Sequence, residues 1–134
     1  MGLLDKILTE HTKLLESAMR LSSHRQKIIA SNLANLETPG YRAKDFKFMD
    51  ILQAEMHEDV DSLMTTHEEH ISESKILRTS TPVEDHIGPE KPDGNNVDLD
   101  IEMARLNYTK GYFQNASYFL KAKYQMMINI LKGF

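Results

Sequence analysis

Two stretches at the ends of the chain carry apolar residues at helical spacing. In the first, Leu4, Ile7, Leu8, Leu14, Leu15, Ala18, Leu21, Ile28, Ile29 and Leu33 recur at steps of three, four and seven. That is the period of one helix face and not the alternation of a strand. No Gly or Pro falls between positions 3 and 38, so the spacing predicts one helix of about 30 residues, roughly 45 Å long. In the second stretch, Leu99, Met103, Leu106, Lys110, Phe113, Ser117, Leu120, Tyr124, Met127, Leu131 and Phe134 alternate steps of four and three. Only Lys110 and Ser117 interrupt this heptad seam. Asp98, Asp100 and Glu102 near its start and Lys132 near its end suit the helix dipole, and Gly111 weakens it by up to about 1 kcal/mol.

A second apolar stripe runs beside that seam through Ile101, Ala104, Tyr108, Tyr112, Ala116, Phe119, Met126 and Ile130. One neighbouring helix cannot cover both, and the chain offers one other long helix. A helix apolar around most of its circumference is buried on most sides, so the missing cover must come from the middle segment or from other molecules. A compact domain of this length has a radius of gyration of roughly 14 Å, far shorter than helices of about 45 to 50 Å. The fold class expected is therefore mainly α and elongated. Long N- and C-terminal helices pair as an antiparallel coiled coil around a small irregular centre with a short helix, short strands and loops.

Three segments follow: residues 1–45, an acidic central segment 46–96, and 97–134. Phe46, Phe48, Met49, Leu52 and Met56 predict a short helix to about residue 58. A short strand is expected around Ile76 and Leu77. Residues 81–96, with Pro82, Gly88, Pro89, Pro92 and Gly94, read as a loop or tether.

The first helix runs into Thr38-Pro39-Gly40-Tyr41. Pro39 presets φ for the second position of a turn, Gly40 accepts the positive φ of a type II third position, and Thr38 is forced extended. Asn35 is expected as a left-handed helix cap. Asn32, one turn earlier, is expected to satisfy groups where helix and turn meet. Tyr41 is expected to anchor the turn against the C-terminal helix.

Charge matters more in its distribution than in its net value of -4. Residues 1–45 hold 7 Lys/Arg against 5 Asp/Glu, residues 46–96 hold 4 against 12, and residues 97–134 hold 5 against 3. Neither end has the concentrated basic face of a nucleic-acid binder. The chain has no Cys, which excludes disulfides and thiolate chemistry. No apolar run is long enough to span a membrane, and a Sec-type signal is not read at the start. His67-Glu68-Glu69-His70 is similar to a zinc-protease helix, but that chemistry needs His at i and i+4 and the spacing here is three. No catalytic residue, cofactor, metal or small-molecule substrate is expected.

The string Ala30-Ser31-Asn32-Leu33-Ala34-Asn35-Leu36-Glu37-Thr38-Pro39-Gly40-Tyr41-Arg42-Ala43, followed by Asp45-Phe46, resembles the N-terminal signature of bacterial flagellar rod and hook proteins. Asp93-Gly94-Asn95-Asn96-Val97-Asp98-Leu99-Asp100, with Glu102-Met103-Ala104 after it, is similar to the start of the last helix in proximal rod members of that family. In the middle segment Leu63-Met64-Thr65-Thr66-His67 ahead of His70-Ile71, together with the short length, also resembles those members. The resemblance implies a structural subunit of the periplasmic rod, the drive shaft that carries torque from the membrane ring to the hook. It implies export through the flagellar type III apparatus without a cleaved Sec signal. The implied partners are other copies of the chain, other rod proteins, the ring-to-rod adaptor and the membrane (MS) ring.

The assembly seam is then expected at Leu99, Met103, Leu106, Phe113, Leu120, Tyr124, Met127 and Leu131. Of these, Phe113 and Tyr124 are expected in an ordinary coiled-coil core. Tyr108, Tyr112, Tyr118 and Phe119 are candidate intersubunit contacts. A soluble coiled-coil adaptor or export chaperone is the rival function, disfavoured because such a protein has no need of Thr-Pro-Gly-Tyr at a helix end.

Overall fold

The computed structural model describes residues 2–62 and 80–133. The strand expected around Ile76 and Leu77, the Leu63–His67 string, the His67–His70 pair and Phe134 lie outside the described residues. Helix α1 spans Leu3–Ala34, strand β1 Lys44–Asp45, helix α2 Phe48–Ser62, strand β2 Val83–Glu84 and helix α3 Leu99–Lys132. At about 1.5 Å per residue, α1 and α3 each run to roughly 50 Å. No described helix is long and apolar enough to cross a membrane.

The two long helices are antiparallel. Lys123 Nζ donates to Thr12 Oγ1 at 2.6 Å, Arg25 reaches Thr109 Oγ1 at 3.5 Å, and Asn32 reaches Glu102 Oε2 at 3.1 Å. Residue numbers fall along α3 as they rise along α1. The core sits on one side of this pair. Ala18, Leu21 and Ile28 from α1 meet Phe46, Phe48, Ile51 and Leu52 from the β1–α2 segment and Ala116 from α3. Phe48 is the hinge point of that packing: it meets Tyr112 edge-on at 5.2 Å and holds the Arg25 guanidinium 5.3 Å over its ring. Burying a side chain such as Leu21 contributes about 1.5 to 3 kcal/mol.

On α1 the buried positions include most of the central apolar positions expected. On α3 they do not follow the expected seam. The buried residues of α3 are Glu102, Thr109 and Ala116, displaced by one residue, or about 100° of rotation, from Met103 and Lys110. Leu99 and Met103 are half exposed, as is Tyr124, which was expected in the coiled-coil core. Leu106, Phe113 and Leu120 are partly buried. The physical reason lies on α1. Arg25 and Asn32 face α3 and need polar partners in reach, so the helix turns its polar and small residues inward.

The 81–96 stretch is not a tether. Its β2 pairs with β1 antiparallel, Lys44 opposite Glu84 and Asp45 opposite Val83. His24, on α1, bonds the Ser80 carbonyl at 3.2 Å and stacks on Phe46. Gly88 lies so close to the Asn96 carbonyl oxygen that an added Cβ would overlap it.

Candidate assembly site

The turn after α1 and the loop before α3 form one hydrogen-bonded clasp. Gly40 has φ 71° and Tyr41 N–H donates back to the Thr38 carbonyl at 3.2 Å, closing the turn. Gly94, at φ 82°, faces it, so closely that a Cβ there would stand 3.6 Å from Gly40 Cα. Gly40 N–H donates to the Asp93 carbonyl and Asn96 N–H to that of Tyr41. A β-carbon on Gly40 meets nothing within 4 Å, so the demand there is purely conformational. Gly40→Val is expected to cost about 1 to 3 kcal/mol through forced left-handed φ, measured by urea unfolding, and to reduce swimming in a strain carrying only that variant.

Three asparagines complete the clasp. Asn32 is fully buried. Its amide donates to the Lys44 carbonyl at 2.8 Å and to Glu102 Oε2, while its oxygen accepts from Lys44 N–H at 3.0 Å and Tyr41 O–H at 3.3 Å. Asn95 donates to the Asn35 and Thr38 carbonyls, tying the loop to the end of α1, and accepts from Val97 N–H. Asn96 accepts from Ala43 N–H at 2.6 Å and donates to the Asp85 carbonyl. Lys91 closes the remaining gap by donating to the Leu36 carbonyl in the turn that follows α1. Asp98 then caps α3, accepting from Asp100 and Ile101 N–H.

Beneath the clasp lies a largely buried charge network. Arg25 bonds both oxygens of Asp45, at 3.0 and 2.7 Å. Arg105 pairs with Asp85, with Glu102 at 3.0 Å and with Asp45 at 3.7 Å. Glu102 is 1% exposed. Burial pushes its carboxyl above the ordinary value of 4.5, against the hydrogen bond from Asn32 and the charge of Arg105, and Asp45 adds to the push. Burial also works against the charge of Arg105, but hydrogen bonding to Asp85 and the fields of Asp85, Asp45 and Glu102 hold its pKa above the ordinary value.

At the opposite end of α3 the apolar surface is uncovered. Tyr118, Phe119, Tyr124, Met126, Met127, Ile128, Ile130 and Leu131 are all exposed, Leu131 to 75% and Tyr118 to 69%. They lie around the helix, not on one stripe.

The comparisons place these features. The family described as flagella basal body rod protein matches residues 14–42, which is the run from the middle of α1 through the turn. The flagellar basal body rod protein FlgB of Escherichia coli strain K12 is 30% identical over 98% of this chain and 99% of its own length. That of Salmonella typhimurium strain LT2 is 32% identical over 88% and 90%. The chain belongs to the FlgB family of flagellar basal body rod proteins. FlgB of Bacillus subtilis strain 168 is also similar, at 29% identity over 89% of this chain and 91% of its own.

Within this FlgB-family chain several expected roles change. Asn35 is not left-handed, since no residue other than glycine has positive φ among the described residues. It caps α1 through its side chain, donating to the Ser31 carbonyl at 2.8 Å and accepting from Thr38 Oγ1. Its short amide adds a second donor to the Ser31 carbonyl, which also accepts the Asn35 backbone N–H, without the strain of a left-handed backbone. Tyr41 anchors the turn to α1, at Asn32 and Ser31, and not to the C-terminal helix. Pro39 is exposed.

Tyr112 packs against the internal core, while Tyr108 is exposed, with its hydroxyl near Tyr112 and Met49. Periodicity missed Arg25, Asp45, Asp85, Asn95, Asn96 and Arg105 as buried or nearly buried groups. A usable signal was the Asn95-Asn96 pair one residue ahead of the Asp98 N-cap, because side-chain amides concentrated in a turn answer exposed backbone groups.

Proposed function

We propose that this chain is a structural subunit of the bacterial flagellar basal-body rod, not an enzyme, and that copies of it assemble through the terminal helices. The observation that carries the assembly route is the uncovered apolar end of α3. Eight large apolar residues between positions 118 and 131 stand exposed on one helix, whereas monomeric proteins keep such surface in small patches. The clasp fixes how α1 and α3 enter the pair, so the exposed end is presented at a set angle. Many close-packed seams between such pairs would resist shear together, which is what transmitting torque requires.

The seam residues Leu99, Met103, Tyr124, Met127 and Leu131 are exposed in the single chain, which supports a role between subunits. Leu106, Phe113 and Leu120, only partly buried, would complete it. Tyr108, Tyr118 and Phe119 are exposed as an intermolecular role requires. Other rod proteins, the ring-to-rod adaptor, the MS ring and the type III export apparatus are the further partners of this reading, and the periplasmic rod its location. The adaptor or export-chaperone alternative has no support from fold or relatives.

The test is Met126→Asp with Ile130→Asp. Both sites are exposed, so folded stability is expected to stay within about 0.5 kcal/mol of the parent, while incorporation into purified basal bodies and swimming are lost. Normal basal bodies containing the doubly substituted chain would overturn the assembly route.

A further inference from the structure

The stripe of α3 that carries Tyr108 is covered unevenly. Near its start, α2 stands alongside and the two helices form an open groove of about 650 Å³ walled by Phe48, Met49, Ala104, Arg105 and Tyr108. Further along the same side, Phe119, Met126 and Ile130 have no such cover, and Phe119 stands edge-on to Tyr118 at 5.8 Å. Resting on the rod-subunit reading, we propose that this uncovered half docks on the outer face of α2, and into the groove beside it, of a second copy of the chain.

Three observations select that occupant. The first is charge. The uncovered half of α3 exposes Lys121 and Lys132 and its sequence from Tyr118 onward holds no acid, whereas the outer face of α2 exposes Asp50 and the sequence of α2 holds no Lys or Arg. Lys47 also lines the groove. Complementary fields of this kind set register and suppress like-to-like pairing. The second is surface character. The outer face of α2 exposes Met49 and Met56 beside Asp50 and Gln53, a flexible apolar strip that adapts to aromatic rings. The third is reach. Residues 118 and 119 lie roughly 15 to 22 Å along a rigid helix from Ala104 and Tyr108, so a chain cannot fill its own groove. The contact joins different surfaces of two copies, and such head-to-tail contacts propagate instead of closing on a pair.

The parent chain has no cysteine, so introduced thiols report this contact without background. Gln53 and Ala122 are both exposed. Oxidation of cells whose rods are built from a Gln53→Cys, Ala122→Cys chain is expected to give a ladder of cross-linked multimers. Each single variant alone is expected to stay monomeric, and a mixture of the two to give dimers. As a measure independent of thiol geometry, Lys121→Glu is expected to lose incorporation into basal bodies and Asp50→Lys in the same chain to restore it.

Dimers from Ala122→Cys alone would mean like-to-like packing and overturn the proposal. Swimming cells that yield the doubly substituted chain in basal bodies but no ladder would overturn this contact and leave the rod assignment standing. If neither parent nor variant is recovered in basal bodies, the rod assignment fails and this contact fails with it.

Discussion

Asn32→Ala is expected to destabilise the folded chain by about 3 to 4 kcal/mol and to abolish swimming. The side chain is wholly buried and uses both of its donors and its acceptor oxygen. Truncation leaves the Lys44 N–H and carbonyl and one Glu102 oxygen without that partner, and each buried orphan costs about 1 to 3 kcal/mol. Tyr41 retains Ser31 within reach, so its hydroxyl adds little. Asn35→Ala is the control. Its amide bonds at the exposed helix end, where water can substitute, and about 1 kcal/mol or less is expected. Urea midpoints for the two variants settle the point; equal losses would mean that the clasp is held by the turn alone.

The second large effect is expected at Arg105. Arg105→Leu removes the partner shared by Asp85, Glu102 and Asp45, whose side chains are 13, 2 and 13% exposed. Leaving buried charges unpaired costs about 3 to 5 kcal/mol. The deficit should depend on pH in one direction. Glu102 already titrates above 4.5 because it is buried, and loss of the Arg105 charge raises it further.

A carboxyl raised in the fold contributes its stabilising increment fully below its unfolded pKa and loses it as pH rises through the folded pKa. The gap between Arg105→Leu and the parent is therefore widest at neutral pH and narrows as pH falls toward about 4.5. Adding Glu102→Gln should remove most of that narrowing. A deficit that stays constant between neutral pH and pH 5, in paired thermal melts, would show that Arg105 acts by packing its alkyl stem and not by charge.

These two residues also mark where reading the sequence stops. Apolar periodicity was sufficient for α1, for the existence of α2 and for the great length of α3, because each buries or presents a repeating face. The Thr38–Tyr41 turn was legible from Pro39 and Gly40, whose backbone limits are local. The strand pair of β1 and β2 was not anticipated, since two-residue strands carry no period.

The buried face of α3 was missed for a deeper reason. Hydrophobic patterning assigns burial to apolar side chains, whereas Glu102 and Thr109 are buried because Asn32 and Arg25 of α1 supply their partners. Such complementarity is a property of pairs distant in sequence, and neither member shows it alone. The same holds for the clasp. Both signature strings could be seen, but not that Asn95 and Asn96 bond the backbone of the other string.

What unites these features is a division of labour along the helix pair. One end pairs buried polar and charged groups of α1, α3 and the loops with one another through the clasp and the charge network. The other leaves apolar surface for neighbours. A subunit built this way can fold its clasp first and bury its far end on assembly, with the burial itself supplying the drive.

Methionine oxidation read by mass spectrometry tests that division most directly. Met126 and Met127 are 62 and 39% exposed in the single chain, and both should oxidise rapidly under mild peroxide in the free, folded subunit. In purified basal bodies the same two side chains are expected to react at least tenfold more slowly, because neighbouring subunits cover them. Equal oxidation rates in the free subunit and in the basal body would contradict the claim that assembly buries the exposed end of α3.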